Sequence, residues 1–242
     1  MQTLFISDLH LQDSRPGLLE LLKRFLRGPA CAADALYILG DLFEFWIGDD
    51  ALSPTAQAVG AELARLPEAG TACYFMHGNR DFLLGREYAA QAGLQLLQES
   101  CVIDLYGTPT LLLHGDTLCT DDLPYQAFRR QVRDPVFQTL FLQKPIPERL
   151  HIAHSARDAS QAHTTSAAMA IMDVNEQAVR AAFDRHHVGQ LIHGHTHRPD
   201  IHDYILADGS PARRIVLADW RHSGHYLRVG PDGHAAITLS GR

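Results

Sequence analysis

Short apolar runs, each bounded by turn residues, alternate with helical patterns along the first half of the chain. Such runs are typical of buried strands, and they predict strands at residues 3–7, 36–39, 71–76, 102–105, 110–114, 191–193 and 215–218. Between the early runs, residues 17–26 carry leucines at helical spacing, and Ser53-Pro54 is typical of a helix start. The pattern therefore predicts an α/β fold, in which the shorter strands toward the C-terminus form a second, mixed sheet packed on the first.

One stretch departs from this alternation. From about residue 123 to 174 the helical patterns continue without a convincing strand, so we expect a helical cap inserted into a single domain spanning 1–242. Its apolar residues are Phe128, Val132, Val136, Phe137, Leu140, Phe141 and Leu142, and its basic residues are Arg129, Arg130, Arg133, Lys144, Arg149 and Arg157. This composition suits a lipid that carries phosphate and a surface that touches an anionic membrane. An equal alternative is that the aromatic residues form the core of a small helical bundle and the arginines a solvated face.

Composition narrows the class of protein. The 242 residues are 46% hydrophobic and 20% charged, which is typical of a globular chain. The net charge of −7 argues against a nucleic-acid partner. No run of about 18 apolar residues is present, and the N-terminal segment lacks the pattern of a signal peptide, so we expect a cytoplasmic protein. The four scattered cysteines are then expected to be reduced and mostly buried.

Polar side chains follow five of the predicted strands, at the point where each strand ends. The clusters are Asp8-Leu9-His10, Gly40-Asp41, Gly78-Asn79-Arg80-Asp81, His114-Gly115-Asp116 and Gly194-His195-Thr196-His197. In open α/β sheets the carboxyl ends of the strands face the ligand crevice, so we expect the five clusters to converge there.

Carboxylate, imidazole and amide side chains in one crevice indicate a metal site. The predicted ligands are Asp8, His10, Asp41, Asn79, His114, His195 and His197. This donor set without thiolate suits Mn²⁺, Fe²⁺ or Zn²⁺. Seven ligands are too many for one such ion and suit two, with Asp41 as the best candidate for a bridging carboxylate. Taken singly, a His-x-His pair is more often strand packing and a Gly-Asp pair is more often a turn, whereas five clusters in order favour the metal site. His193 is expected to be buried in the sheet.

The order of these motifs resembles that of the calcineurin-like metallophosphoesterases. The resemblance implies a four-layer α/β/β/α sandwich of two mixed sheets around a dinuclear metal centre. It further implies that Asp8, His10, Asp41 and His197 hold one ion, and that Asp41, Asn79, His114 and His195 hold the other. One position departs from the family pattern, because Arg80 stands where the family has histidine.

Arg80 changes the expected substrate. Arginine stays protonated and cannot act as a general acid, but its N–H donors bind phosphate oxygens well. A phosphate leaving group needs no added proton, whereas an alkoxide does. Arg80 therefore favours cleavage of a pyrophosphate bond over a simple phosphodiester. The alternative is that Arg80 only forms a salt bridge with Asp81.

Further segments narrow the resemblance. Residues 40–50, 171–175 and 218–220 are similar to those of the UDP-2,3-diacylglucosamine diphosphatases of lipid A synthesis. This resemblance implies water attack on the α-phosphorus, usually with Mn²⁺, giving UMP and 2,3-diacylglucosamine 1-phosphate (lipid X), and a peripheral location on the cytoplasmic face of the inner membrane. The catalytic positions are then Asn79, Arg80 and His195. The substrate contacts are then Asn79, Arg80, Asp122, Tyr125, Arg157, Ser160, Thr164 and His195, and Ala167 replaces a lysine common in that family.

Three other functions remain open at this point. A family member can cleave a soluble dinucleoside polyphosphate or a cyclic nucleotide, although Arg80 and the apolar insertion disfavour this. A nuclease is disfavoured by the negative charge of the chain. A protein-binding scaffold with a degraded metal site is disfavoured because every ligand position is intact. No nucleic acid and no obligate protein partner are expected.

Overall fold

The structure is a computed structural model that describes residues 1–166 and 173–240, with the side chains of 161–166 outside the description. The strands are β1 (Thr3–Ile6), β2 (Ala35–Leu39), β3 (Ala72–Met76), β4 (Leu94–Leu96), β5 (Ser100–Leu105), β6 (Thr108–Leu113), β7 (Gln190–His193), β8 (Ile201–Ile205), β9 (Pro211–Val216), β10 (Gly224–Gly230) and β11 (Gly233–Leu239). The α-helices are α1 (Pro16–Arg27), α2 (Pro54–Leu63), α3 (Arg86–Gln91), α4 (Leu123–Val132), α5 (Pro135–Leu142), α6 (Ile146–Ser166) and α7 (Glu176–His186).

The strands form two mixed sheets. The first has the order β11-β10-β1-β2-β3-β4, in which β1 to β4 are parallel and β10 runs antiparallel to β1. The second has the order β5-β6-β7-β9-β8, with parallel β6, β7 and β9 between two antiparallel edge strands. The two-sheet architecture with flanking helices confirms the expected metallophosphoesterase sandwich.

Alternating side chains place β1 between two apolar layers. Leu4 and Ile6 pack with Phe25 of α1 and with residues of α2 and α3. Phe5 points the other way and packs with Leu112 of β6 in the layer between the two sheets. A third layer joins the outer face of the second sheet to α7. Both faces of β1 are therefore buried, which explains its continuous apolar run.

The local signals are confirmed in part. Each predicted strand overlaps an observed one, and Ser53 Oγ accepts a hydrogen bond of 3.1 Å from the backbone N–H of Ala56, as expected for a helix cap. Strands β4, β8, β10 and β11 were not predicted. β4 has only three residues, and the edge strand β8 leaves its apolar Ile205 64% exposed, so neither gives a clear burial pattern.

The stretch expected to be helical contains α4, α5 and α6. Residues 167–172 of that stretch, including Ala167, Ile171 and Met172, lie outside the described residues. Within 1–166 and 173–240, none of the helices combines the length and the apolarity needed to cross a membrane. All four cysteines are free thiols; Cys73 and Cys119 are buried, and Cys31 and Cys101 are partly exposed.

Candidate metal centre and adjoining cavity

The predicted ligands lie on the loops that leave the carboxyl ends of five strands. Asp8 and His10 follow β1, Asp41 follows β2, Asn79 follows β3, His114 follows β6, and His195 and His197 follow β7. β1, β2 and β3 belong to one sheet, and β6 and β7 belong to the other. The carboxyl ends of these strands in the two sheets thus bring all seven side chains together, as the strand-end pattern predicts.

The first ligand set contains Asp8, His10 and His197. His10 Nε2 lies 3.3 Å from His197 Nε2, and His197 Nε2 lies 3.4 Å from Asp8 Oδ1. Asp41 Oδ2 is 3.9 Å from His10 Nε2 and completes the set. Two ring nitrogens and two carboxylate oxygens therefore face one small volume.

The second ligand set is centred on Asn79. Its Oδ1 lies 2.9 Å from His114 Nε2 and 2.9 Å from His195 Nδ1. Asp41 Oδ1 is 3.7 Å from His114 Nε2. Asp41 thus presents one oxygen to each set, which is the arrangement expected of a bridging carboxylate.

Acceptors behind the imidazoles orient the rings. His114 Nδ1 lies 2.8 Å from the carbonyl oxygen of Leu39, so this nitrogen carries a proton and donates it, which turns Nε2 toward the site. His197 Nδ1 lies 3.5 Å from Asp219 Oδ2, again leaving Nε2 toward the ligand set. Such outer partners fix the tautomer of a metal-binding histidine.

Burial and charge at the site fit divalent cations. Asp8 is fully buried, and its Oδ1 accepts no hydrogen bond from the described residues, whereas Oδ2 accepts one from Ser7 Oγ and one from the backbone N–H of His195. Burial raises the pKa of Asp41 to about 7. Burial also lowers the pKa of His10 to about 3 and that of His195 to about 4, so both rings stay neutral. Despite their burial, the pKa values of His114 and His197 are raised instead, because the carboxylates of Asp41 and Asp8 lie beside them. The buried carboxylates thus favour positive charge next to them, which a divalent ion also supplies.

The backbone at the ligands adopts an uncommon conformation. Positive φ angles occur at Asp8 (56°), His10 (50°), Asp41 (53°), His195 (68°) and His197 (54°). Non-glycine residues rarely populate this left-handed region, and each instance costs about 1–3 kcal/mol. Five such residues among the seven predicted ligands indicate that the surrounding structure imposes their geometry.

A buried carboxylate joins the loops after β2 and β3. Asp81 accepts hydrogen bonds from the backbone N–H groups of Gly78 (3.0 Å), Asp41 (3.2 Å) and Leu42 (2.7 Å). The Arg80 guanidinium points toward Ser160 Oγ, and the backbone N–H of Arg80 donates to Asp41 Oδ1 at 2.8 Å. The structure therefore uses Asp81 to hold the two loops and does not pair it with the Arg80 side chain.

A cavity of about 400 Å³ adjoins the second ligand set. Its lining comes from the metal-site loops and from α4, α5 and α6, and comprises Glu44, Phe45, Trp46, Asn79, Arg80, Phe82, Leu83, Pro124, Tyr125, Phe128, Val132, Phe137, Phe141, Ile152, Ala153, Ala156, Arg157, Ala159 and Ser160. The lining is mainly apolar, with a few polar groups at the metal end.

Five of the predicted substrate contacts line this cavity: Asn79, Arg80, Tyr125, Arg157 and Ser160. The Arg80 guanidinium Nη2 donates to Ser160 Oγ at 3.4 Å. The ring of His195 lies beside the cavity, with its centroid 5.9 Å from that of Tyr125.

One other predicted contact is placed differently. Asp122 is buried at the start of α4, where its Oδ1 accepts a hydrogen bond of 3.0 Å from the backbone N–H of Tyr125. Asp122 thus acts as a helix cap, and its contact with substrate stays a prediction. The side chain of Thr164 lies outside the described residues.

The apolar residues of the insertion divide between two roles. Phe128, Val132, Phe137 and Phe141 line the cavity, whereas Val136 and Leu140 are 68% and 58% exposed, and Leu142 is exposed as well. Among the described residues of the insertion, these side chains therefore do not form the core of a closed helical bundle.

A family comparison agrees with the geometry. The model of the family described as calcineurin-like phosphoesterase matches residues 1–199. This chain belongs to the calcineurin-like phosphoesterase family. It is also 53% identical, over 99% of both chains, to the UDP-2,3-diacylglucosamine hydrolase of Stenotrophomonas maltophilia strain K279a. The enzyme of the same name from Klebsiella pneumoniae is 53% identical over 96% of both chains.

A solved structure of vacuolar protein sorting 29 from Cryptosporidium parvum has a TM-score of 0.49 and 14% identity, and the match covers 99% of this chain and 97% of that one.

Membership in the calcineurin-like phosphoesterase family makes the chain a hydrolase and implies that it binds divalent metal.

A salt bridge and two hydrogen bonds fasten helix α4 of this phosphoesterase, with the residue after its end, to the ligand-bearing loops. Asp116 Oδ2 accepts hydrogen bonds from Tyr125 OH at 2.9 Å and from Arg129 Nε at 2.6 Å. Arg133 Nη2 donates to the carbonyl oxygen of Gly78 at 2.9 Å. Helix α4 therefore contacts the loops after both β3 and β6, and Asp116 holds the side chains of Tyr125 and Arg129.

Glu44 is a buried site residue that the sequence analysis missed. Its Oε2 lies 3.5 Å from His10 Nδ1, and its Oε1 forms an ion pair with Arg157 of α6. The available signal was a single acid within the apolar run Leu42-Phe43-Glu44-Phe45-Trp46. A buried acid in such a run needs a partner.

The expected burial of His193 is confirmed: it is fully buried, with Arg214 Nη1 3.2 Å from its Nε2.

The close approach of Gly78 to Asp41 generates a testable prediction. A Cβ atom at Gly78 would lie 2.1 Å from Asp41 Oδ1 and 2.3 Å from its backbone nitrogen. We expect Gly78→Ala to displace Asp41, weaken Mn²⁺ binding in calorimetric titration, and lower turnover about 100-fold. Gly17→Ala is the matched control, because nothing lies within 4 Å of its added methyl group. Wild-type Mn²⁺ affinity in Gly78→Ala would contradict the role given to this contact.

Proposed function

We propose that this phosphoesterase hydrolyses the pyrophosphate bond of UDP-2,3-diacylglucosamine to UMP and 2,3-diacylglucosamine 1-phosphate (lipid X), in lipid A biosynthesis. The observation that carries the proposal is the mainly apolar cavity of about 400 Å³ that ends at Asn79 and Arg80. It offers apolar surface for acyl chains next to groups that bind phosphate. The near-full-length identity of 53% to curated hydrolases of this lipid supports the same substrate.

We assign two divalent ions to the site, with Mn²⁺ as the favoured metal. Asp8, His10, Asp41 and His197 would hold one, and Asp41, Asn79, His114 and His195 the other, because their donor atoms face two adjoining volumes. The mixed imidazole and oxygen donors suit Mn²⁺, Fe²⁺ or Zn²⁺. When bound, such ions activate water near neutral pH and neutralise charge on the phosphoryl oxygens.

Arg80 would bind and orient the pyrophosphate. Its side chain lines the cavity beside Asn79, and its buried Nε has no hydrogen-bond partner among the described residues. That N–H is thus available for a phosphate oxygen. Because the guanidinium stays charged, it holds the phosphate without giving up a proton. The leaving group is itself a phosphate, which needs none.

The rest of the cavity would hold the diacylglucosamine phosphate. Arg157 and Ser160 of α6 lie at its polar end, together with Tyr125 of α4. The acyl chains would lie against the apolar residues of α4 and α5. Burial of apolar surface contributes about 25 cal/mol per Å². In this assignment residues 123–174 form the cap insertion of a single domain.

The test is product analysis by mass spectrometry in ¹⁸O-labelled water, with UDP-2,3-diacylglucosamine, Mn²⁺ and an EDTA control. We expect labelled UMP in the presence of Mn²⁺ and no product in EDTA. Label on the lipid phosphate instead of UMP would contradict attack on the α-phosphorus. Equal or faster cleavage of a dinucleoside polyphosphate or a cyclic nucleotide would favour a soluble substrate.

Replacing the Arg80 side chain separates phosphate binding from metal binding. Only the backbone N–H of Arg80 contacts Asp41, so Arg80→Ala leaves that contact in place. We expect kcat to fall about 100-fold, with Mn²⁺ affinity unchanged in calorimetric titration. Arg185→Ala is the control and is expected to keep wild-type turnover, because Arg185 is exposed on α7 and does not line the cavity. Loss of Mn²⁺ affinity in Arg80→Ala would instead make it a structural residue.

We also propose that the cap helices rest on the cytoplasmic face of the inner membrane. Leu123, Val136 and Leu140 are 71%, 68% and 58% exposed, and Arg130 is exposed near them in sequence. Apolar side chains with neighbouring cations suit the interface of an anionic bilayer. Such a position would give the cavity access to a lipid substrate.

Vesicle binding tests this placement. We expect Val136→Glu with Leu140→Glu to reduce co-sedimentation with phosphatidylethanolamine–phosphatidylglycerol vesicles, because each adds negative charge to the apolar contact. Ile205→Glu is the matched control, since Ile205 is 64% exposed on β8. Equal sedimentation of the double variant and the wild type would rule out this contact surface.

A further inference from the structure

Glu44 and His10 sit on two loops that run side by side. The backbone N–H of His10 donates to Asp41 O at 3.0 Å, and that of Leu11 donates to Leu42 O at 3.0 Å. The N–H of Glu44 returns a hydrogen bond of 3.1 Å to Leu11 O. These bonds continue the parallel pairing of β1 with β2 beyond the strand ends. The relative position of His10 and Glu44 is therefore set by the backbone.

The carboxylate of Glu44 is enclosed between two partners. The residue is only 6% exposed. Oε2 lies 3.5 Å from His10 Nδ1, and Oε1 forms an ion pair with the Arg157 guanidinium; both contacts are electrostatic, and neither has hydrogen-bond geometry. The side chain of Arg157 is 33% exposed, so solvent can reach it, whereas Glu44 is buried and depends on protein partners. Pairing with Arg157 alone would not require the second oxygen to face the imidazole.

The two ligand sets differ in what lies behind their histidines. In the first set, His10 Nδ1 faces Glu44 and His197 Nδ1 faces Asp219, each at 3.5 Å. In the second set, His114 Nδ1 faces a backbone carbonyl, that of Leu39. A carboxylate partner makes an imidazole a stronger donor to a metal than a neutral carbonyl does, because it stabilises positive charge on the ring.

We propose that Glu44 is a positioning residue that fixes the His10 ring and makes the first ligand set the tighter of two metal sites. The inference rests on the two-metal assignment given under the proposed function. Glu44 acts through His10, and Arg157 keeps its other oxygen in place. The first set then fills before the second as Mn²⁺ is added.

Variants that keep only one complete ligand set isolate the effect of Glu44 on Mn²⁺ binding. His114→Ala leaves the first set complete, and His10→Ala leaves the second. In the His114→Ala protein we expect Glu44→Gln to weaken Mn²⁺ binding about 10- to 100-fold in calorimetric titration. In the His10→Ala protein the same change is expected to alter Mn²⁺ affinity by no more than about twofold, because the residue through which it acts is gone.

Asp49→Asn provides the matched control on the same loop. Asp49 accepts hydrogen bonds from Trp46 Nε1 and from the backbone N–H groups of Gly85 and Tyr88, so its role is to hold the loop and α3. In the His114→Ala protein this variant is expected to keep its Mn²⁺ affinity. Thermal unfolding of each metal-free variant checks that it is folded.

The outcomes separate this inference from the proposed function. Failure of the wild-type protein to bind two equivalents of Mn²⁺ would reject the two-metal assignment itself. If the wild type binds two and Glu44→Gln leaves the first set unchanged, the role of Glu44 is wrong. The role is equally overturned if Glu44→Gln weakens binding as much without His10, or if Asp49→Asn weakens it as much as Glu44→Gln does.

Discussion

The buried carboxylate of Asp81 holds together the loops on which the site is built. It binds three backbone N–H groups of the β2 loop and one of the β3 loop, at distances between 2.7 and 3.3 Å. Only glycine at position 78 allows these loops to approach so closely. As a result Asp41 reaches both ligand sets, and Arg80, the residue before Asp81, lines the cavity. A carboxylate without those N–H groups would need another cation in the same buried space.

The site concentrates features that disfavour folding. Five ligand residues adopt positive φ angles, and Asp8 and Asp41 are buried carboxylates. Burial of apolar side chains on either side of the first sheet offsets this unfavourable free energy, and residues such as Phe5 and Phe25 are fully buried there. Placing the ligands at the strand ends leaves those layers intact. The strained ligand loops are thus separate from the apolar core, and this separation lets the fold bury several charged ligand side chains in one place.

The sequence predicts those parts of the molecule that depend on local pattern. Apolar runs located seven strands, and Asp8, Asp41 and His195 were recognised because each follows such a run. Features that depend on contacts between distant segments were missed. Glu44 meets His10 only because two loops about 30 residues apart in sequence run side by side. The helix-capping role of Asp122 was also not predicted, and its contact with substrate stays a prediction.

Helices α4 and α6 are attached to the loops near the metal ligands. This attachment explains how one fold combines a metal site with a substrate cavity. Arg133 binds the carbonyl oxygen of Gly78, and Arg149 binds Asp50 Oδ1 and the carbonyl oxygen of Ile47. Both contacts attach the cavity wall to loops near metal ligands. The apolar wall is therefore present before any lipid arrives, and binding does not have to order it. Because Arg80 lies where this wall meets the ligand sets, a charged hydrogen-bond donor stands at the junction of apolar and polar surfaces. A ligand that fills both regions therefore combines an apolar group with an anionic one.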